Sequence, residues 1–273
     1  MNDKFEAGLI HLTPILASLL FGVFCAFLIL SSQTEIVGVA PFPEGALGAL
    51  GNAFYFVILV GVGASLLYLL LKRRNRRAIA LIIGFALTTA VFVLSIVYLD
   101  AAFSRLAIPS MEVFISASAL LITALAGFAI FRARGRICDF VVLCLGGALG
   151  AFLGASIPTL SAVLILGFLA VYDAFAVYHG PVGKIAHSGL EQLRGLSFYF
   201  MGVQMGLGDL TFYSMLSGHM LLYFGLVSCV ASMVGILLGC FLALRMLSRR
   251  GMFPGLPFPI VLGLSAGLLA SSL

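Results

Sequence analysis

The stretch Met205-Gly-Leu-Gly-Asp-Leu-Thr-Phe-Tyr-Ser214 sets a carboxylate, Asp209, between two glycines and an aromatic run, inside sequence otherwise built for lipid. An acid at the centre of a membrane helix costs about 2.5–3.5 kcal/mol on insertion scales, so it marks a functional site by default. A second acid, Asp173, has a comparable setting one predicted helix earlier, in Val171-Tyr-Asp-Ala-Phe-Ala-Val-Tyr178. The reading of the chain turns on whether these two carboxylates form one site.

The surrounding composition supports the lipid setting. Of 273 residues, 62% are hydrophobic and 9% charged, and the mean hydropathy is +1.21. A soluble domain carries about 25% charged residues. The chain therefore reads as a polytopic membrane protein in the cell membrane, all-α, with residues 1–273 forming one transmembrane domain. The net charge of +5 does not indicate nucleic acid, because the basic residues cluster at the ends of apolar runs, as membrane topology requires. The five cysteines show no Cys-x-x-Cys spacing and read as small buried hydrophobes. No His-Glu-x-x-His pair is present, and neither a metal site nor a cofactor is expected.

A span needs about 20 apolar residues to cross ~30 Å of hydrocarbon. That ruler predicts nine helices, near 8–30, 50–71, 78–99, 111–131, 138–156, 158–178, 200–219, 221–245 and 256–272. Threading them with the N-terminus inside puts all the Lys and Arg residues except Arg105 on the inner side. The positive-inside rule then gives a cytoplasmic N-terminus and a C-terminus outside. Gly146, Gly150 and Gly154 share one face of the fifth helix, and Gly235 and Gly239 share one face of the eighth. Small residues at this spacing let helix backbones approach closely in lipid. No internal repeat is visible, so an inverted-repeat transporter gains no support.

Under that threading Asp173 lies about a turn from the inner end of the sixth helix, and Asp209 lies in the inner half of the seventh. Two carboxylates at similar depth on successive helices can face each other. They would then share a proton, one acting as base toward water and the other as acid toward a carbonyl oxygen. Such chemistry requires water, and hence a hydrophilic cavity open toward the cytoplasm. Gly206 and Gly208 clear side chains from beside Asp209. The third feature, Phe253-Pro-Gly-Leu-Pro-Phe-Pro-Ile260, places three prolines at the inner start of the ninth helix, where they delay helix formation and leave carbonyls unpaired.

Together, Tyr172-Asp173, Gly206-Leu207-Gly208-Asp209 and Pro254-Gly255-Leu256-Pro257 resemble the Tyr-Asp, Gly-x-Gly-Asp and Pro-Ala-Leu signatures of presenilins and signal peptide peptidases. The resemblance implies an intramembrane aspartyl protease with Asp173 and Asp209 as the catalytic pair. It also implies that Tyr172, Gly206, Leu207 and Gly208, with the proline motif, flank the site, and that Pro254, Leu256 and Pro257 help bind substrate. Gly255 departs from the family's Ala by one methyl, which bears on substrate fit more than on activity. The long cytoplasmic loop of presenilins is replaced by a short segment, 179–199, which weakens any expectation of self-cleavage. The N-in orientation agrees with presenilins rather than signal peptide peptidases, and the loop-poor, Trp-free chain is similar to a microbial presenilin homologue working without partner subunits.

Helices 1–5 (residues 1–157) then form a scaffold and helices 6–9 (158–273) the catalytic part. The partners are single-span membrane proteins or peptides and the lipid bilayer; self-association stays open. Gly263-Leu-Ser-Ala-Gly267 matches a serine nucleophile elbow, but an elbow needs a strand-to-helix turn and a histidine base, and this serine lies within an apolar helix. His219 is expected at a solvated outer turn. The alternative function is a proton-coupled secondary transporter using Asp173 and Asp209 as a relay. A non-catalytic membrane assembly factor is a third reading.

Overall fold

The computed structural model describes residues 8–32, 36–73, 76–104, 111–132, 136–178, 195–250 and 252–272. Lys4, Arg105 and the polar segment 179–194, all used in the topology argument, lie outside the described residues. Nine α-helices occur among the described residues: α1 (Thr13–Ser31, entered by a 3-10 turn at Leu9–Leu12), α2 (Ala46–Lys72), α3 (Arg76–Phe103), α4 (Met111–Phe131), α5 (Arg136–Ser156), α6 (Thr159–Tyr178), α7 (Leu207–Phe224), α8 (Leu226–Arg250) and α9 (Pro257–Ser271). Seven helices are long and apolar enough to cross a membrane, and α7 and α9 are not among them. At 15 residues, α9 rises about 22 Å, short of the ~30 Å hydrocarbon core.

Glycine decides where the helices touch. A Cβ on Gly150 would lie 2.3 Å from the Thr211 carbonyl oxygen, and one on Gly154 would lie 2.7 Å from that of Met215. The glycine stripe of α5 thus lets α7 lie backbone to backbone against it. Helix α1 closes on both, with Gly22 against Ser214 and Gly147, and the Ser18 hydroxyl donating to the Leu143 carbonyl at 3.0 Å. Gly235 and Gly239 do the same between α8 and α9, where a Cβ would strike Leu262 and Pro259. The packing reading of both stripes therefore holds. Gly263 and Gly267 also pack, against Ile236 and Met220, while Ser265 faces outward. Outside this core, α2 lies on α6 and α3 on α4. Large apolar side chains such as Phe24, Phe85 and Phe128 are more than half exposed, as a lipid-facing surface requires.

One element differs from the sequence expectation. Residues 200–206, assigned above to the seventh helix, belong to a β-hairpin, β1 (Ser197–Phe200) with β2 (Val203–Gly206). Phe198 pairs with Met205 and Tyr199 with Gln204. Phe198, Val203 and Met205 are buried, while Tyr199 and Gln204 are exposed, the period of two that a strand imposes. The turn residues Met201 and Gly202 both have positive φ, 46° and 90°, as a two-residue hairpin turn of matching twist demands. The Leu207 N–H donates to the Leu196 carbonyl at 2.8 Å, so the helix starts where the ladder ends.

Candidate active site

Asp209 is the third residue of α7, in its first turn. Gly206, the N-cap, is extended at φ −83° and ψ 143°, and the Asp209 carboxylate turns back over it, with Oδ2 3.4 Å from where a Gly206 Cβ would lie. An acid three residues into the helix occupies the position from which a capping box reaches back to the cap. The positive end of the helix dipole falls on the same carboxylate. Gly-x-Gly-Asp is thus a helix start as well as a chemical motif. Leu207 turns away into α5 against Gly146, and Gly208 is exposed, with open space where a Cβ would point.

The proline segment reaches the same place from the other side. Pro257 and Pro259 stand in the first turn of α9, where a missing N–H costs nothing, and Pro259 is pressed onto Gly239 of α8. Phe253 and Phe258 stack across the bend, with centroids 5.4 Å apart. The loop before Pro257 is therefore held, and Pro254 and Leu256 are buried in it. A Cβ on Gly255 would lie 3.2 Å from the carboxyl carbon and both oxygens of Asp209. The Leu256 N–H donates to Asp173 Oδ2 at 2.9 Å.

Asp173, five residues before the end of α6, and Asp209 thus converge on the Gly255–Leu256 peptide. Both are half-buried. Tyr172 points elsewhere, its ring and hydroxyl lying along Gly61 of α2. Beside Asp209 a cavity of about 110 Å³, with room for several waters, is lined by Gln204, Tyr213, Cys240, Leu247 and Pro254 among others.

Residues 17–186 match the family described as signal-peptide peptidase, presenilin aspartyl protease. The chain belongs to this family. The matched stretch takes in Asp173 and ends before Asp209. The fold is similar over nearly the whole chain to solved structures of a presenilin family intramembrane aspartate protease. One, in a P2 crystal form, is 22% identical, covers 98% of this chain and 99% of its own, and has a TM-score of 0.68. A second, in a C222 form, is 21% identical, covers 95% and 99%, and has a TM-score of 0.66. A search of curated proteins finds no match by sequence. As a presenilin-family member the chain is an aspartic peptidase and a multi-pass membrane protein, whose substrates are transmembrane segments in a bilayer.

Sequence reasoning missed three neighbours of the acids and misplaced a histidine farther along α7. Tyr213, Cys240 and Gln204 line the cavity, and the hairpin delivers Gln204. Tyr213 could have been found, since it lies four residues after Asp209 and so on the same helix face. Cys240 carries no such signal, because only the α7–α8 packing brings it near. His219, expected at a solvated turn, is buried instead. Its Nδ1 donates to the Gly154 carbonyl at 2.7 Å and its Nε2 accepts from the Thr159 hydroxyl at 3.1 Å. The α5 glycine stripe that brings α7 close also exposes the Gly154 carbonyl to this ring.

Proposed function

We propose that Asp173 and Asp209 are the catalytic pair of an intramembrane aspartyl protease that cleaves peptide bonds within transmembrane segments. The observation that carries this reading is the convergence of both carboxylates, from α6 and α7, on one peptide of the proline loop. Two acids so near each other share a proton rather than both ionising. The ionised one removes a proton from water as the water oxygen bonds to the substrate carbonyl carbon. The protonated one gives its proton to the carbonyl oxygen. Collapse of the tetrahedral intermediate breaks the C–N bond as the proton held by the first acid passes to the leaving amine, and a hydroxyl proton of the gem-diol returns to the second acid as the carbonyl re-forms. The water store is the cavity at Asp209.

A helical substrate hides its peptide bonds, so the substrate unwinds locally and adds as a strand beside the 196–206 segment or the proline motif. In favour of the first position, the hairpin, two-stranded among the described residues, leaves an edge there for a further strand and leads directly into Asp209. The exposed face of Gly208 leaves room for a substrate backbone, and Gly206, Pro254, Leu256 and Pro257 frame the same space, with Leu207 packed behind it against α5.

The proposed topology has nine passes through the cell membrane, with the N-terminus in the cytoplasm and the C-terminus outside. In it α7 and α9 cross together with the segments that precede them, the β-hairpin and the proline loop, and the basic residues at the inner ends of the runs support the threading. Helices α1–α5 act as scaffold and α6–α9 as the catalytic part. The test is cleavage of a tagged single-span peptide in liposomes by wild type, Asp173→Asn and Asp209→Asn. Loss of cleavage in both variants, with the fold retained, is expected. Equal turnover in all three would overturn the pair, and proton-coupled flux without cleavage would favour a relay.

A further inference from the structure

Tyr213 is buried on α7 one turn beyond Asp209, and its hydroxyl donates to the Gly255 carbonyl at 2.8 Å. The N–H of the same peptide unit, that of Leu256, donates to Asp173 at 2.9 Å. Because a peptide unit is planar, the direction of its C=O fixes the direction of its N–H. Tyr213 therefore holds one edge of the plane and Asp173 the other. Cys240 of α8 lines the same cavity as Tyr213. A chain of hydrogen bonds runs from α7 to the proline loop and ends on α6. Gly255 completes it, because a methyl there would meet all three carboxyl atoms of Asp209 at 3.2 Å, tighter than ordinary contact.

We propose that Tyr213 is a positioning residue. Acting through the Gly255–Leu256 peptide, it aims the Leu256 N–H at Asp173, while the bare Cα of Gly255 lets Asp209 lie over the same peptide. The inference rests on Asp173 and Asp209 being the catalytic pair. Without the hydroxyl the peptide is free to rotate about its flanking bonds, and Asp173 loses a fixed donor. The sharing of the proton between the two acids depends on that donor.

The test measures kcat and KM across pH for the full chain in liposomes on a tagged single-span peptide, with thermal unfolding alongside. The variants are Tyr213→Phe, Gly255→Ala, their double, Asp173→Asn and Asp209→Asn. Tyr213→Phe should lower kcat about tenfold to a hundredfold with KM within about twofold, and displace the pH–rate profile. The sequence places the Gly255 methyl difference in substrate fit, but the 3.2 Å contacts set such a methyl against Asp209 itself. Gly255→Ala, which keeps the hydroxyl, should therefore lower kcat in the same way and maintains the test if Tyr213→Phe does not fold. Because both act through one peptide, the double variant should lose little more than the worse single one. An unmoved pH profile, or activity lost only in proportion to folded protein, would overturn the positioning role. So would full multiplication of the two single effects. Cleavage persisting in the two Asn variants is a separate result, which would overturn the catalytic pair itself.

Discussion

Replacing Gly150 with Ala adds one methyl at the closest approach of α5 and α7. That Cβ would stand 2.3 Å from the Thr211 carbonyl oxygen, 2.6 Å from Ser214 Cβ and 2.7 Å from the Met215 backbone nitrogen. Two of the three are main-chain atoms, which no rotamer change can move. Ordinary contact begins at 3.4 Å, so α7 must retreat by about 1.1 Å. Overpacking of this kind costs about 1–3 kcal/mol. The larger consequence is geometric, because Thr211 is two residues beyond Asp209 and the first turn of α7 moves with it. A 1 Å misplacement of reacting groups is worth about a hundredfold in rate. We expect Gly150→Ala to fold with a lowered unfolding temperature and to cleave a single-span peptide about a hundredfold more slowly per folded molecule. Gly63→Ala on α2 is the control: nothing lies within 4 Å of its Cβ, and it should leave rate and unfolding temperature near wild type or slightly raise the latter. Wild-type turnover by folded Gly150→Ala would refute the claim that this contact sets the position of Asp209.

His219→Phe removes the donor to Gly154 and the acceptor of Thr159, leaving a buried carbonyl unpaired. Thermal unfolding should show a loss of about 1–3 kcal/mol, with turnover per folded molecule little changed. The 3-10 turn at Leu9–Leu12 holds the hairpin through His11, whose Nε2 donates to the Met201 carbonyl at 3.1 Å. His11→Leu should loosen the turn and raise KM several-fold with kcat less affected, provided the substrate docks along the hairpin; an unchanged KM would count against docking there. Gly202→Val forces a β-branched residue to φ 90° and should lower stability by about 1–3 kcal/mol as well as lowering cleavage, read by unfolding and turnover together.

What the sequence revealed and what it hid follow from range. Seven helices were legible because each is a local apolar run of membrane length, and α4 was expected over 111–131, where it lies. The glycine stripes were legible because close packing in lipid leaves a four-residue signature on a single helix. The hairpin was not, because Phe198, Tyr199 and Phe200 are as apolar as the helix they precede. The alternation that marks them as strand depends on which face the core takes. His219 was misplaced for a related reason: its partners, Gly154 and Thr159, lie some 60 residues earlier, and only the α5–α7 contact brings them to the ring.

The two acids were conspicuous as charges in apolar sequence, yet the reason they meet is not local to either. Asp209 is placed by the end of β2 and the cap at Gly206. Asp173 is placed by a backbone donor from a loop 83 residues later in the chain. That loop in turn is fixed by Pro259 against Gly239. The prolines, which read in the sequence only as breakers, act as supports, because a loop that cannot become helix keeps its N–H and C=O groups free for the side chains of α6 and α7. The Gly-x-Gly-Asp and proline motifs are therefore two halves of one construction, and the residue that joins them, Tyr213, belongs to neither.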